Sequence, residues 1–209
     1  MAAQERIGNP AASHKGLRVQ AFATLDVWRE WLKQHGGVAP GLWLRLAKKG
    51  ASWASLSRAE AVEGALAFGW IDGQLQPWDE ASWLVRFTPR GAKSRWSQIN
   101  CQTAERLIAD GLMAPAGLAQ VEAAKADGRW DAAYAPQAKA EVPPDLQAAL
   151  DAEPKAAAFF ATLTGANRFA ILYRTQDAKT AATRAARIAK FVGMLARGEV
   201  IHPTRRKGG

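Results

Sequence analysis

The hydrophobic pattern of this chain changes at Pro89. Before this proline the apolar residues stand in short runs at 42–46, 70–76 and 82–88, which have the length of strands. The turn-forming residues 77–80 between the last two runs indicate a hairpin. After Pro89 the apolar residues recur at helical spacing instead. The pattern predicts an α+β protein, in which a small, mostly antiparallel sheet with packed helices is followed by an all-helical C-terminal part.

Capping signals place two helices among the predicted strands. Thr24 has the side chain of an N-cap, and Ser57 is followed three residues later by Glu60, which completes a capping box. Gly69 is typical of a helix stop. A further short strand is expected over residues 18–22.

The length of 209 residues suits one large domain or two small ones. We expect a flexible leader over 1–16, an α+β domain over 17–134, a linker over 135–142, a helical part over 143–200 and a basic tail over 201–209. The linker is placed where Pro, Ala and charged residues interrupt the apolar pattern. After Pro89, helices are predicted over residues 95–110, 115–126, 143–152, 154–163, 167–176 and 179–197.

Several common chemistries have no motif in this sequence. Phosphate-binding glycine loops, HExxH and paired CxxC spacings are absent, so we expect no metal site and no cofactor. Cys101, the single cysteine, is interpreted as an inert thiol, and His14, His35 and His202 as incidental. No apolar run is long enough to span a membrane, and residues 1–16 lack the apolar core of a secretion signal. We therefore expect a cytoplasmic protein.

The net charge of +9 is concentrated near the C-terminus, where residues 164–209 hold ten basic and two acidic side chains. Such an excess favours contact with a polyanion, although a solvated basic face is the simpler interpretation. Helical geometry places Ala181, Ala185, Ile188, Val192 and Leu195 on one side of the last helix. The opposite side carries a basic row of Lys179, Arg187, Lys190 and Arg197.

Arg184 departs from this arrangement, because it projects near the edge of the apolar side. We expect a fixed acceptor for its guanidinium, a carboxylate or a carbonyl from another segment. That contact is predicted to dock the C-terminal helices onto the first half of the chain.

The residues best suited to bind a ligand lie between Phe68 and Asn100. A helix N-terminus with nearby cations is an anion site, because its backbone N–H groups and dipole favour negative charge. Tryptophan rings offer flat surfaces for a base or a sugar. The candidate ligand-binding residues are Trp70, Asp72, Arg90, Lys93, Ser94, Arg95, Trp96, Ser97 and Asn100.

An ordinary structural interpretation competes with this pocket. In that interpretation Ser94 only caps the following helix, Trp70 and Trp96 belong to the core, and Arg90 pairs with Asp72. The pocket hypothesis requires Trp70, Asp72, Arg90 and Trp96 to share one cleft.

Several short motifs resemble the YdeI/OmpD-associated (bacteriocin-protection) family. They are Gly69-Trp70-Ile71-Asp72-Gly73, Thr88-Pro89-Arg90, Ser94-x-Trp96-Ser97-x-x-Asn100, Gly111-Leu112-Met113-x-Pro115-Ala116-Gly117, Lys125-Ala126-Asp127-Gly128-Arg129-Trp130, Pro143-x-Asp145-Leu146 and Thr183-Arg184-x-x-Arg187-Ile188. The resemblance extends from about residue 22 to residue 198. It implies a bacterial protein of stress response or envelope protection, and the family name alone implies association with a porin. It carries over no catalytic residue.

Three functional hypotheses follow. The first is a non-catalytic protein that binds a small anionic or phosphorylated ligand at the candidate residues. The second is a nucleic-acid-binding protein that uses the basic row and the Arg205-Arg206-Lys207 tail. The third is an enzyme with Asp72 as general base, and the absence of a second catalytic group makes it the less favoured hypothesis.

Overall fold

Residues 12–136, 141–163 and 165–202 are described by a computed structural model of the chain. The chain divides into two units between Ala133 and Tyr134. We describe each unit by itself, the N-terminal unit first.

The N-terminal unit contains a five-stranded mixed sheet. Its strands are β1 (Ser13–His14), β2 (Leu17–Gln20), β3 (Leu42–Ala47), β4 (Trp70–Pro77) and β5 (Ser82–Pro89), in the order β1-β2-β3-β5-β4. Strands β2 and β3 are parallel, and the other neighbouring pairs are antiparallel. The α+β class and the mostly antiparallel sheet are therefore confirmed.

Two helices pack against this sheet, α1 (Leu25–His35) and α2 (Arg58–Ala67). The Thr24 hydroxyl caps α1, and Ser57 and Glu60 form the predicted capping box of α2. Between these helices and the sheet lies an aromatic core that includes Trp28, Trp70 and Phe87. The start of each helix was predictable because a cap is a local signal.

Helices α3 (Gln98–Ala109) and α4 (Pro115–Ala126) complete this unit around a second core. Two glycines allow α4 to lie against the junction of α2 and β4. Gly69 has a φ of +74°, and a Cβ there would lie 2.8 Å from the carbonyl oxygen of Ala116. A Cβ on Gly117 would collide with the carbonyl oxygen of Ala67. Only glycine fits this crossing, because backbone meets backbone at both positions.

The C-terminal unit is built from helices α5 (Pro144–Asp151), α6 (Pro154–Thr162), α7 (Gly165–Gln176) and α8 (Ala181–Ala196). Its core contains Leu146, Leu150, Phe160, Ile171, Leu172, Ile188, Phe191 and Leu195. The predicted last helix is continuous, with Ile188 and Leu195 buried, Val192 half-buried and Lys190 exposed. Ala181 and Ala185 were expected on the buried side and are exposed instead.

The predicted leader requires a correction at its end. Ser13–His14 pair with β2, so the sheet has five strands and structure begins before residue 17. Strand β1 was missed because two residues are too short to show a period. Residues 1–11, residues 137–140 of the predicted linker and residues 203–209 of the predicted tail lie outside the described residues. Across the described ranges, no helix has both the length and the hydropathy of a membrane span.

Candidate functional site

Trp70 lies in the core and offers no ring face to a ligand. The residue is 2% exposed, and its indole N–H donates to the carbonyl oxygen of Gly36 at 3.0 Å. Its ring meets Trp31 edge to face, with centroids 5.9 Å apart. The predicted stacking role of Trp70 is therefore not supported, because the sheet and α1 already cover the indole.

Trp96 is buried in the second core, at 1% exposure. Its ring packs against Trp130 at a centroid distance of 4.9 Å, and the Arg90 guanidinium lies 3.9 Å from its centroid. Trp96 is thus the platform for a protein cation rather than for a ligand. Because Trp70 and Trp96 lie in different cores, the two rings do not line one cleft.

Asp72 pairs with Arg58 instead of Arg90. The Arg58 Nη2 lies 2.8 Å from a carboxylate oxygen of Asp72, and Asp72 stands opposite Phe87 in the β4–β5 ladder. Arg90 follows β5, where its backbone N–H donates to the carbonyl oxygen of Gly69 and its side chain turns toward Trp96. The Arg90–Asp72 pair of the ordinary structural interpretation is therefore replaced by two separate contacts, Asp72 with Arg58 and Arg90 with Trp96.

The segment from Gly91 to Ser97, which we call the 91–97 loop, is held by two arginines. Arg90 Nη1 donates to the carbonyl oxygen of Arg95, and Arg129 Nη1 donates to that of Ser94, each at 3.0 Å. The Ser94 hydroxyl accepts from the Gly91 N–H at 3.1 Å, which closes a turn. The loop is thus fixed through its carbonyls and its own serine.

The N-terminus of α3 adjoins the 91–97 loop. Ser97, rather than Ser94, caps it, and its hydroxyl accepts from the Asn100 N–H at 3.1 Å. The first N–H groups of a helix, here those of Gln98 and Ile99, have no intrahelical acceptor. The first turn contains no acidic residue. Lys93, five residues before the start of α3, is exposed, whereas Arg95 and Asn100 are half-buried.

Arg129 is itself oriented by a carboxylate. Its Nε donates to both oxygens of Asp127, at 2.9 and 2.8 Å. These bonds from Arg129 hold the pKa of Asp127 below its usual range. The Asp127–Arg129–Ser94 chain of contacts therefore connects the loop to the C-terminal end of α4.

Cys101 is buried, and the three histidines each contact neighbouring residues. Burial raises the pKa of Cys101 to about 11, so its thiol stays protonated and unreactive near neutral pH. His14, expected in a tail, lies on β1 with its Nε2 2.7 Å from the Gln76 amide oxygen. The His35 ring stacks on Trp31, and the His202 backbone is held by Asn167. Among the residues that the structure describes, no cluster of His, Cys, Asp or Glu is suited to hold a metal ion.

The basic row of the C-terminal unit is largely neutralised. Arg187 lies 3.7 Å from a carboxylate oxygen of Asp177, and Arg197 is 2.9 Å from Glu199. Lys179 and Lys190 are exposed, and neither has an ion-pair partner within the described part of the chain. Within the described residues the basic row therefore offers two lysines without a carboxylate partner to the nucleic-acid alternative, whose Arg205-Arg206-Lys207 tail lies outside those residues.

Arg184 has the fixed acceptor that its position requires. Its Nε and Nη2 donate to the two oxygens of Asp145 at 2.5 and 2.8 Å, and its Nη1 donates to the Thr175 carbonyl oxygen at 3.0 Å. These hydrogen bonds lower the pKa of Asp145 and raise that of Arg184. The acceptor belongs to α5 of the same unit, so the prediction that it docks the helices onto the first half is wrong.

Sequence reasoning missed a groove of about 440 Å³ between α5 and α8. The Asp145–Arg184 pair lies along it, and its apolar lining consists of Ala149, Ala181, Ala185, Ile188, Ala189 and Val192. The signal was the recurrence of alanine every four residues in α8, which fits a buried helix face as well as an exposed one. We call this feature the α5–α8 groove.

Fold and sites together define a two-unit α+β protein with a helical C-terminal unit. Residues 139–198 match the family described as "Bacteriocin-protection, YdeI or OmpD-Associated", which confirms the resemblance over that segment. Residues 20–120 match a different family, described as "Domain of unknown function (DUF8412)". The motifs from Gly69 to Gly117 therefore lie in the segment that matches the domain of unknown function, not in the segment that matches the YdeI/OmpD-associated family. No curated protein and no solved structure matches the chain.

Proposed function

We propose that this chain is a non-catalytic cytoplasmic protein of bacterial stress response or envelope protection, whose N-terminal unit binds a small anionic or phosphorylated ligand. The proposed site is the 91–97 loop together with the N-terminus of α3. One observation carries the proposal: a preformed loop with an exposed lysine adjoins a helix start whose first N–H groups have no intrahelical acceptor and whose first turn holds no acid.

The residues have distinct roles in this proposal. Lys93 supplies positive charge from the surface, and Arg95 adds a guanidinium in the same loop. Ser94, Ser97 and Asn100 supply hydroxyl and amide donors. Arg90 contributes to the site by holding the carbonyl oxygen of Arg95. Trp70, Trp96 and Asp72 have no role in this proposal, since the two indoles are buried and Asp72 is paired with Arg58.

Preorganisation is the physical reason to expect measurable affinity. Because Arg90 and Arg129 already fix the two carbonyls, little backbone entropy is lost when an anion binds. A point-charge contact from Lys93 and two or three N–H donors is the chemistry of a phosphate rather than of a neutral sugar.

Calorimetric titration with inorganic pyrophosphate tests the proposal. Lys93→Gln should raise the dissociation constant about tenfold, as expected for loss of one charge-assisted hydrogen bond of roughly 1.5 kcal/mol. Lys155→Gln is the matched control, since it removes an exposed lysine of α6 that belongs to neither candidate site. Equal affinities for wild type and Lys93→Gln, or no binding at all, would contradict the proposed site.

A steep fall of affinity with salt on single-stranded DNA, lost in Lys179→Gln/Lys190→Gln, would instead favour the nucleic-acid alternative. Turnover of a phosphorylated compound that Asp72→Asn abolishes would favour an enzyme. No contact in the structure favours either of these over anion binding.

A further inference from the structure

Two large apolar side chains are buried on the side of the sheet that faces away from α1 and α2. Leu44 belongs to the core between the sheet and these helices, so the alternation of β3 turns Trp43 to the opposite side, which we call the outer face. The ladder registers put Leu84 of β5 and Gln76 of β4 on the outer face as well. Trp43 and Leu84 are 1% and 0% exposed, so this face of the sheet is covered.

His14 of β1 is one of the side chains that cover the outer face. Its ring meets the rings of Trp43 and Trp78 edge to face, at centroid distances of 5.0 and 5.8 Å. Its Nε2 lies 2.7 Å from the Gln76 amide oxygen. Strands β1 and β4 are the two edges of the sheet, and four strand spacings would hold them roughly 19 Å apart in a flat sheet. The contact between His14 and Gln76 therefore requires that β1 folds across the outer face.

Residues 12–16, which we call the strap, are joined to the sheet by a short ladder. Strand β1 has two residues, which pair with β2, and the Val19 N–H donates to the Ala12 carbonyl oxygen at 2.6 Å. A short edge segment of this kind opens at a lower free energy than the core of a sheet, because few contacts are lost.

The turn of the strap is held in a conformation that suits its sequence poorly. Lys15 and Gly16 have φ values of +48° and +78°, as the two-residue type I′ turn between β1 and β2 requires. Among the residues that the structure describes, Lys15 is the one non-glycine residue with a positive φ. A left-handed backbone costs lysine more than it costs glycine or asparagine, so the closed strap is held against backbone strain.

We propose that the strap opens and closes over Trp43 while the rest of the N-terminal unit stays folded, with His14 as the side chain that holds it closed. In the closed chain the His14 imidazole contacts both indoles and the Gln76 amide. In the open chain the ring of Trp43 faces solvent beside Trp78. The strap thus controls access to a flat aromatic surface of the sheet, and it acts independently of the 91–97 loop.

The indole N–H of Trp43 reports directly on this opening. The group is buried, and it has no hydrogen-bond acceptor within the described part of the chain. The indole N–H groups of Trp28 and Trp70, in the core on the helix side, instead donate to the carbonyl oxygens of Ala61 and Gly36, each at 3.0 Å. Burial alone therefore protects the Trp43 N–H from exchange with solvent, and loss of its cover should expose it.

Deuterium exchange of the indole N–H groups, followed by NMR on the full ¹⁵N-labelled chain, tests the proposal. In the wild type Trp43 should exchange faster than Trp28 and Trp70, because it needs only the strap to open. His14→Ala should speed the exchange of Trp43 about tenfold, since it removes the ring contacts and the hydrogen bond that close the strap. The exchange of Trp28 and Trp70 should stay unchanged.

His35→Ala is the matched control. It removes another half-buried histidine, whose ring stacks on Trp31 at a centroid distance of 5.0 Å, and it should leave the exchange of Trp43 unchanged. Lys15→Asn should act in the opposite direction to His14→Ala. Because asparagine adopts the left-handed conformation more readily, this variant should slow the exchange of Trp43 roughly threefold.

Three results would overturn the proposal. If Trp43 exchanges at the rate of Trp28 and Trp70 in the wild type, the strap does not open by itself. Equal exchange of Trp43 in the wild type and in His14→Ala would show that His14 does not hold the strap closed. Exchange of Trp43 that is unchanged or faster in Lys15→Asn would remove the role assigned to the strained turn.

Discussion

Replacement of Arg184 by alanine tests how the C-terminal unit is held together. The change removes both hydrogen bonds to Asp145 and the bond to the Thr175 carbonyl oxygen. Asp145 then keeps the hydrogen bond from the Leu146 N–H but loses its charged partner. The helices α5 and α8 lose the ion pair that joins them.

The magnitude follows from the exposure of the two side chains. Removing one partner of a buried pair costs about 3–5 kcal/mol, whereas a fully exposed pair contributes about 0.2–1 kcal/mol. The Arg184 and Asp145 side chains are 28% and 46% exposed, so solvent screens the pair in part. The fork geometry and the carbonyl contact raise its value above that of a simple surface pair. We expect Arg184→Ala to cost about 2 kcal/mol.

The distribution of tryptophan makes the assay specific for one unit. All nine tryptophans lie between Trp28 and Trp130, within the N-terminal unit. Tryptophan fluorescence therefore follows the N-terminal unit, while circular dichroism at the helix bands also follows the C-terminal one. Arg184→Ala should lower the urea midpoint of the C-terminal transition by about 1–2 M and leave the fluorescence midpoint unchanged.

Lys190→Ala is the control, because it removes an exposed cation from the same helix. It should change stability by less than about 0.5 kcal/mol. Equal and small losses for the two variants would refute the reasoning, since Arg184 would then contribute no more than a solvated charge.

The pH dependence of stability tests whether the Asp145–Arg184 pair stabilises the folded chain. The hydrogen bonds from Arg184 depress the pKa of Asp145 in the folded chain. The contribution of the Asp145–Arg184 pair to the free energy of unfolding is therefore fully present above the pKa of the unfolded carboxyl, about 3.9. It is lost as the pH falls through the lower pKa of Asp145 in the folded chain. The stability difference between wild type and Arg184→Ala should shrink below a pH of about 4.

Two further experiments test the N-terminal unit, a glycine substitution and the alkylation of Cys101. Gly117→Ala should cost roughly 1–3 kcal/mol by urea denaturation followed through tryptophan fluorescence, because the new Cβ meets the Ala67 carbonyl oxygen and the Met113 sulfur. Gly37→Ala, where a Cβ meets nothing within 4 Å, should be close to neutral, and similar losses in both would contradict the close-approach argument. The Cys101 thiol, with its pKa raised to about 11 by burial, should react with iodoacetamide at pH 8 only after unfolding in urea. Rapid alkylation of the native chain would show that the thiol is neither buried nor protonated.

The sequence alone determined the features that depend on neighbours along the chain. The caps at Thr24 and Ser57 and the strands that follow Gly69 and precede Pro89 were predictable, because a cap or an apolar run needs only a few adjacent residues. The buried positions Ile188 and Leu195 followed from the helical period in the same way. The α+β class is the sum of such local signals.

Tertiary structure alone decided which of these residues meet. Trp70 and Trp96 stand 26 positions apart among the same kinds of neighbours, yet they enter two different cores. Asp72 pairs with Arg58 rather than with Arg90, because α2 packs against β4 and the Arg90 side chain lies over Trp96. The sequence showed that Arg184 needs an acceptor but not that Asp145 supplies it within the same unit. The helical period likewise marks an apolar face in α8 without saying whether another helix covers it. Ala181 and Ala185 are exposed because they line the α5–α8 groove, and that groove is set by packing across the unit rather than by the residues beside them.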